Sequence, residues 1–424
     1  MTLVSGFRRV CGLGLSLGLS LFAGCGSGDA PADLPSAPLP RFGPAVNVES
    51  PAGSGAGQPR LFLEPDGGVL MSWLEPSAEG QALRYSVLDG DAWGPVRTVV
   101  SRADLFVNWA DFPSVIRLPD GSLAAHWLQR TGPDTYAYGV RLSRSADNGV
   151  TWSKPVTPHT DQTQTEHGFV SLSPGLAAGS VRAVWLDGRN YADPHADPAF
   201  MTLRHAEIAV DGSLTAEVEL DPRTCDCCQT STAVTQSGVA VAYRGRTTDE
   251  IRDIRVVRLG EQGWSNPSVV HSDGWVIPSC PVNGPAIAAI GNLVAVAWFT
   301  AANDSPRVML AFSDDGGESF EAPIQVAGSG EIGGSLGRVD LALSADGVAL
   351  VSWLHEREGI GALMLSAFDP DGSRSGTTVV PQLDGGRATG FPRMALRSDE
   401  ILFAWTEPGD PARIRVVSVP LVTE

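Results

Sequence analysis

Residues 347–355 read GVALVSWLH, a short apolar run that ends in an aromatic residue and then turns polar. The same shape recurs as GVLMSWLE (68–75), SLAAHWLQ (122–129), VRAVWLDG (181–188), GVAVAYRG (238–245), LVAVAWFT (293–300) and EILFAWTE (400–407). The aromatics are Trp73, Trp127, Trp185, Tyr243, Trp298, Trp353 and Trp405, spaced by 54, 58, 58, 55, 55 and 52 residues. A nearly constant period of this length marks one supersecondary unit that buries its apolar face only against its neighbours. A shorter strand and a glycine turn precede most copies, as in FLEPDGG, IRLPDGS and ALSADGV. A third strand follows (LRYSVLD, GVRLSRS, RVMLAFS, ALMLSAF), then a fourth opening on an aromatic and a proline (AWGPVRTV, TWSKPVT, GWSNPSVV, SFEAPIQV).

Four short antiparallel strands per unit, repeated radially, predict an all-β, seven-bladed β-propeller. Two separate β-sandwiches would not produce such a period. The last unit lacks an outer strand of its own, while RFGPAVNV (41–48) is an orphan strand at the other end of the chain. Pairing the two closes the ring and removes its exposed edges. A single domain over residues 41–424 follows. With 48 Gly, 31 Pro and little helical periodicity, the composition agrees.

The chain opens MTLVSGFRRVCGLGLSLGLSLFAGC. Arg8 and Arg9 precede an apolar run, Val10 to Ala23, that is shorter than the ~20 residues needed to span a bilayer. Its end, Leu21-Phe22-Ala23-Gly24-Cys25, resembles the lipobox of bacterial lipoproteins. That resemblance implies a signal peptide over residues 1–24, lipidation of Cys25 and a membrane anchor in the cell envelope. Gly26 after the cysteine favours the outer membrane over the inner. Residues 25–40, rich in Pro, Gly, Ala and Asp, have nothing to bury and are expected to be a disordered tether. The formal charge of −18 argues against nucleic acid as a partner. A monomer is expected.

Two turns carry a sharper signature. SADNGVTW (145–152) and SDDGGESF (313–320) fit S-x-D-x-G-x-[ST]-[WF] through Ser145, Asp147, Gly149 and Trp152, and through Ser313, Asp315, Gly317 and Phe320. They resemble the Asp-box, or BNR repeat, of sialidases and other propellers, where it is a structural turn between third and fourth strands. The aspartate caps turn amides, the glycine supplies unusual φ, and the aromatic packs between sheets. DPDGSRSG (369–376) is a degraded version. Sialidases also need a tyrosine nucleophile from their late blades, but none of the five tyrosines here follows Tyr243. Their first Arg-x-Pro motif is absent at Pro59-Arg60-Leu61, and they have six blades. The resemblance is therefore to a sialidase-like propeller lipoprotein without the sialidase catalytic set.

In a propeller, the loops entering each inner strand and those joining second and third strands gather at one mouth of the central channel. Here they supply the binding candidates Arg60, His167, Arg189, Arg244, Arg246, Asn283, His355 and Arg387. They also supply carboxylates that could serve as acid or base in a glycoside hydrolase or lyase: Asp111, Asp187, Glu250 and Asp253. Alternating arginines and acids suit an anionic or glycan-like ligand. A protein-interaction scaffold would instead show a flat apolar patch.

TCDCCQT (224–230) enters blade four and SCPVNGP (279–285) enters blade five at the equivalent place. Cys225, Cys227, Cys228 and Cys280 should therefore meet at the mouth. Two disulfides are one outcome; Cys227–Cys280 with Cys225–Cys228 has the easiest geometry. A thiolate site for copper or zinc, with His167 or His271 as an extra ligand, is the other. A reducible, redox-active disulfide is a third. The surrounding VVHSDGWVIPSCPVNGPA resembles a segment of bacterial sialidase-like BNR lipoproteins, which implies no activity.

Overall fold

A computed structural model describes residues 39–422, except 194, 196–198, 216 and 329–333. The signal segment, Cys25 and most of the tether lie outside the described residues. Among the described residues, no helix is long and apolar enough to cross a membrane.

Seven small antiparallel sheets follow one another in chain order. Blade one is Gly57–Leu63, Val69–Ser77 and Gly80–Asp89, with an outer edge split into Ala92–Trp93 and Arg97–Arg102. Blade two has Ser114–Arg117, Leu123–Arg130 and Tyr138–Ser145, and its outer position shrinks to a bridge between Leu142 and Val156. Blade three is His167–Pro174, Val181–Asp187, Met201–Ile208 and Val218–Thr224. Blade four begins with Ser231–Thr235 and Gly238–Arg244, and blade five with Ala286–Ile290 and Leu293–Thr300. Blade six begins with Gly334–Leu343 and Ala349–Arg357.

Blade seven is Arg393–Arg397, Glu400–Glu407 and Arg413–Val422. Its outer edge is supplied by the N-terminus. Arg41 pairs with Val422 and Phe42 with Leu421; Val46, Asn47 and Val48 pair with Ser418, Val417 and Val416. The orphan strand thus closes the ring as its sequence predicts. Leu39 already packs against the core between blades six and seven.

The period has a physical cause. Each repeated aromatic fills the interface with the preceding blade: Trp73 against blade seven, Trp127 against one, Trp185 against two and Tyr243 against three. Trp298, Trp353 and Trp405 continue the series against blades four, five and six. All seven are at most 3% exposed, so the ring holds seven equivalent hydrophobic interfaces. Four of the polar handles reach a carboxylate. Trp73 Nε1 donates to Glu75 (2.7 Å), Trp185 Nε1 to Asp187 (2.8 Å), Tyr243 Oη to Asp221 (2.6 Å) and Trp298 Nε1 to Asp273 (2.7 Å). Such pairing meets the cost of burying an indole N–H or phenol.

Both Asp-boxes close as turns. Ser145 Oγ donates to Asp147 Oδ1 (2.8 Å), and Asp147 accepts from Thr151 N (2.9 Å) and Oγ1 (2.6 Å). Ser313, Asp315 and Ser319 repeat the pattern at 2.7, 3.0 and 2.6 Å. The Thr151 hydrogen bonds pull Asp147 down to about 2. Trp152 packs into the interface of blades one and two, and Phe320 into that of four and five.

Candidate functional site

Strand register places one residue of every inner strand at a common level, opposite the residue that precedes the repeated aromatic. Going around from blade one, these are Arg60, Ser114, Ser171, Ser231, Ala286, Asp340 and Arg393. Three small hydroxyls face one side of the channel, and Asp340, Arg393 and Arg60 stand on consecutive blades at the other. Arg60, Arg393, Ser114 and Ser171 line a cavity of about 140 Å³ together with Asp111 and Gln229.

The charges there are unbalanced. Asp340 accepts from Met394 N (2.9 Å) and Leu341 N (3.1 Å), and it lies 3.9 Å from Arg393 Nη1. Burial, opposed by the charge of Asp340, lowers Arg60. Burial and then repulsion from Arg60 push Arg393 down to about 9. Both remain cationic at neutral pH, facing one carboxylate between them.

Aromatic and cationic residues extend this wall toward the mouth. Trp109 and Phe391 stack at 5.8 Å; Arg338 lies 5.1 Å and Arg387 5.8 Å above the Trp109 ring. Arg393 sits 4.8 Å over Phe112. Arg338 Nη1 donates to the carbonyls of Gly386 (2.8 Å) and Gly390 (3.0 Å), and burial brings it down to about 10. Arg387 is exposed at the rim.

Across the channel is a carboxyl pair. Tyr138 Oη lies 2.8 Å from Asp111 Oδ2 and 2.7 Å from Glu166 Oε1. One hydroxyl has one proton, so it can donate to only one of them. The other short contact requires a protonated carboxyl. Burial raises Asp111 to about 7, against hydrogen bonds from Tyr138 and Phe169 N, and raises Glu166 to about 8. The pair thus holds a shared proton at neutral pH. Gly168 makes room for it, since a Cβ there would fall 1.9 Å from Asp111 Oδ2.

The other carboxylate candidates are differently placed. Asp187 is clamped by Arg189 Nε and Nη2, both at 2.7 Å, and by the Trp185 indole; these outweigh burial and lower it. Glu250 is lowered by hydrogen bonds from Arg246 and Arg252. Asp253 accepts from Gly274 N and Trp275 N, both at 3.1 Å. Arg246 also holds Asp226 at 2.8 Å. Arg244 spends its guanidinium on the carbonyls of Asn283 (2.9 Å), Arg252 (2.6 Å) and Phe299 (2.7 Å). Asn283 accepts from Arg338 N at 2.7 Å, tying the loop that enters blade five to blade six. His355 lies near the end of the second strand of blade six, paired with Ser335. His167 is buried at the start of blade three, beside Asp161 and Asp187.

Cys227 and Cys280 form a disulfide with Cα atoms 6.1 Å apart, joining the loops that enter blades four and five. The sulfurs of Cys225 and Cys228 lie 2.6 Å apart, both buried, and Cys225 is 4.0 Å from Cys227. Arg252 Nη1 is 3.4 Å from Cys225 Sγ. Burial opposes ionisation of Cys225, but contact with Cys228 and the Arg252 charge outweigh it and bring it to about 7. Burial pushes Cys228 up. Gln229, the next residue, donates to Ala110 O (2.6 Å) and accepts from Gly284 N (3.1 Å), so the cluster abuts the channel lining.

No family model matches the chain, and no curated protein is similar to it. Solved structures are. A protein of unknown function from Dyadobacter fermentans has 14% identity, covering 91% of this chain and 100% of that one, with a TM-score of 0.52. The GH93 alpha-L-arabinofuranosidase of Fusarium graminearum, solved with arabinobiose, has 12% identity over 89% of this chain and 98% of that one, TM-score 0.50. The NanB sialidase from Streptococcus pneumoniae has 10% identity over 91% and 94%, TM-score 0.45. The fold is a β-propeller of seven blades.

Several residues of this propeller's mouth escaped the sequence-based selection: Arg393, Arg338, Trp109, Tyr138, Glu166, His159 and Asp161. For Arg393 a signal exists. Pro59-Arg60, within the inner strand of blade one, and Pro392-Arg393, at the start of that of blade seven, place the same dipeptide on adjacent blades.

Proposed function

We propose that this chain is a lipid-anchored envelope propeller that binds an anionic saccharide, carrying carboxylate or sulfate groups, at the mouth of its channel. The observation that carries this reading is the Arg60–Arg393 pair: a buried cation, Arg393, and a half-buried one, Arg60, on neighbouring blades with a single, partly spent carboxylate beside them. A buried charge without a full partner is costly, and an anionic ligand would supply what is missing. Half-buried Trp109 stands beside the arginines, and serines and threonines opposite offer hydroxyl contacts. That a propeller of this shape was solved with arabinobiose supports a sugar as the ligand. Lipidation of Cys25 would hold the mouth at a membrane surface. The disulfide fixes the two loops that frame Gln229.

Binding assays on oligosaccharides bearing uronate or sulfate groups, with neutral oligosaccharides of equal length as controls, test the reading. Selective binding of the charged set, weakened by salt and by Arg393→Gln, is expected. Equal binding of both sets would remove it. One observation favours a second reading, a glycoside hydrolase or lyase: the proton shared by Asp111 and Glu166 beside the same channel is a general acid poised near neutrality. Release of new chain ends from the bound saccharide, lost in Asp111→Asn, would establish it.

A further inference from the structure

We infer that His159, Asp161 and His167 form a binding site for a divalent first-row metal ion of the zinc type, separate from the cysteine cluster. All three lie in PHTDQTQTEH (158–167), the segment that leaves blade two and enters blade three. Their ligand atoms lie within 4.8 Å of one another.

The hydrogen bonds of His167 settle its tautomer. Nδ1 lies 3.0 Å from the Thr165 carbonyl oxygen, which can only accept, so Nδ1 carries a hydrogen. Neutral His167 then turns the lone pair of Nε2 toward the Asp161 carboxylate, whose oxygens are both 3.2 Å away. Asp187 Oδ1 stands 3.6 Å off on the same side. A lone pair facing carboxylates needs a cation between them. An N–H held by a backbone carbonyl behind the ring is also how metal-ligating histidines are oriented.

A proton on His167 would supply that cation, but it would leave His159 unexplained. That ring is 7% exposed and stacks on His167 at 3.9 Å, with neither nitrogen hydrogen-bonded. Its Nδ1 is 3.3 Å from Asp161 Oδ1 without hydrogen-bond alignment. One ion bound by His167 Nε2, His159 Nδ1 and Asp161 Oδ1, with the stacked rings tilted to aim both lone pairs at it, satisfies these three atoms and leaves only His159 Nε2, packed against Gly139, without a partner. Thr163 donates its backbone N–H (3.1 Å) and its hydroxyl to the other oxygen, Oδ2, leaving Oδ1 as the ligand. Arg189 approaches Oδ1 to 3.4 Å but gives its short hydrogen bonds to Asp187 and Glu217. Asp187, already clamped, serves as an outer-shell carboxylate.

Two imidazoles and one carboxylate select zinc and its first-row neighbours over calcium or magnesium, and three protein ligands leave a fourth position for water or substrate. The test is titration of chelator-treated protein with zinc chloride, followed by calorimetry and thermal melting. One equivalent should bind and raise the melting temperature. His159→Ala and Asp161→Asn should each abolish binding while melting like the wild type in chelator, and Cys225→Ser/Cys228→Ser should still bind. X-ray absorption at the zinc edge of the wild type should show only N/O ligands at about 2.0–2.2 Å, without sulfur at about 2.3 Å. Failure to bind zinc, sulfur in the first shell, or undiminished binding in both His159→Ala and Asp161→Asn would overturn the assignment. A pH-dependent His167 signal with no metal uptake would establish the proton instead.

Discussion

Arg60 and Arg393 stand at one register on the inner strands of neighbouring blades, each opposite the residue that precedes a buried tryptophan. Their repulsion is built into the ring and offset only in part by Asp340. Replacing one of them has two expected consequences. Arg393→Gln should leave stability unchanged or improve it, because a strained buried charge is gone. It should weaken an anionic ligand by about tenfold or more, the loss expected for a charge-assisted contact of about 1.5–3 kcal/mol. Chemical denaturation and a binding titration on the same variant measure both. A large loss of stability would mean that the arginines are structural.

The proton shared by Asp111 and Glu166 makes stability depend on pH in a definite direction. Both carboxyls bind a proton more tightly in the folded chain, at about 7 and about 8, than in the unfolded chain. Their contribution is therefore complete below the ordinary carboxylate range near 4 and is lost as pH rises through about 7 to 8. Wild-type protein should unfold at progressively lower urea concentration as pH rises across that window. Asp111→Asn should flatten the dependence, because its amide keeps an acceptor for Phe169 N and has no proton to lose. A wild-type profile that is flat across this window would show that the pair holds no shared proton.

The cysteines yield a countable outcome. Cys227–Cys280 spans 53 residues, and cross-linking a loop of that size contributes about 4 kcal/mol on a chain-entropy estimate. Protein made in an oxidising compartment should show Cys227 linked to Cys280 in peptide mapping. Cys225 and Cys228, with sulfurs 2.6 Å apart, should form the second bridge and leave no free thiol among these four cysteines. Cys280→Ser should lower the melting temperature and free one thiol, whereas Cys225→Ser/Cys228→Ser should leave the first bridge intact. Two alkylatable thiols in the oxidised wild type would show that the second pair stays reduced.

Blade number, ring closure and the turn geometry were legible in the sequence because each rests on a local pattern that repeats. An aromatic every 52 to 58 residues and an unpaired strand at each end leave little freedom. The meeting of Cys227 with Cys280 was legible for the same reason, since equivalent loops of adjacent blades lie side by side. The site was less so. Arg244 and Arg60 are both mouth-region arginines in sequence, yet one holds three backbone carbonyls while the other faces the channel. That distinction depends on where neighbouring loops leave carbonyls unpaired, which no repeat pattern records. Tyr138, Glu166 and His159 were missed because their meaning comes from contacts across blades two and three.

Gly149 tests the structural reading of the Asp-boxes. Its φ is 78°, and an added Cβ would lie 1.8 Å from Tyr85 Oη. Tyr85 is pinned in turn, donating to Asn148 O at 3.1 Å and packing edge-on against Trp152. Gly149→Ala should therefore cost at least the 1–3 kcal/mol typical of a strained backbone position, plus displacement of Tyr85. Ligand affinity should not change, because the box lies on the opposite rim from the mouth. Thermal melting and the binding titration together check this.

The N-terminal strand carries the last prediction. Residues 46–48 pair with 416–418, Asn47 Oδ1 accepts from Arg415 at 2.7 Å, and Phe42 and Val48 pack into the interfaces on either side of blade seven. Without this strand, blade seven would present Arg413–Val422 as an unpaired edge. Such an edge recruits another strand when one is within reach. Deleting residues 39–48 should thus lower the melting temperature and shift the protein toward larger species than the full chain forms in size-exclusion chromatography. A synthetic peptide covering 39–50 should restore both when added in excess, since it supplies the missing hydrogen bonds and side chains without a covalent link. A truncated chain that keeps the oligomeric state and stability of the full one would mean that the seven aromatic interfaces hold the ring without its clasp.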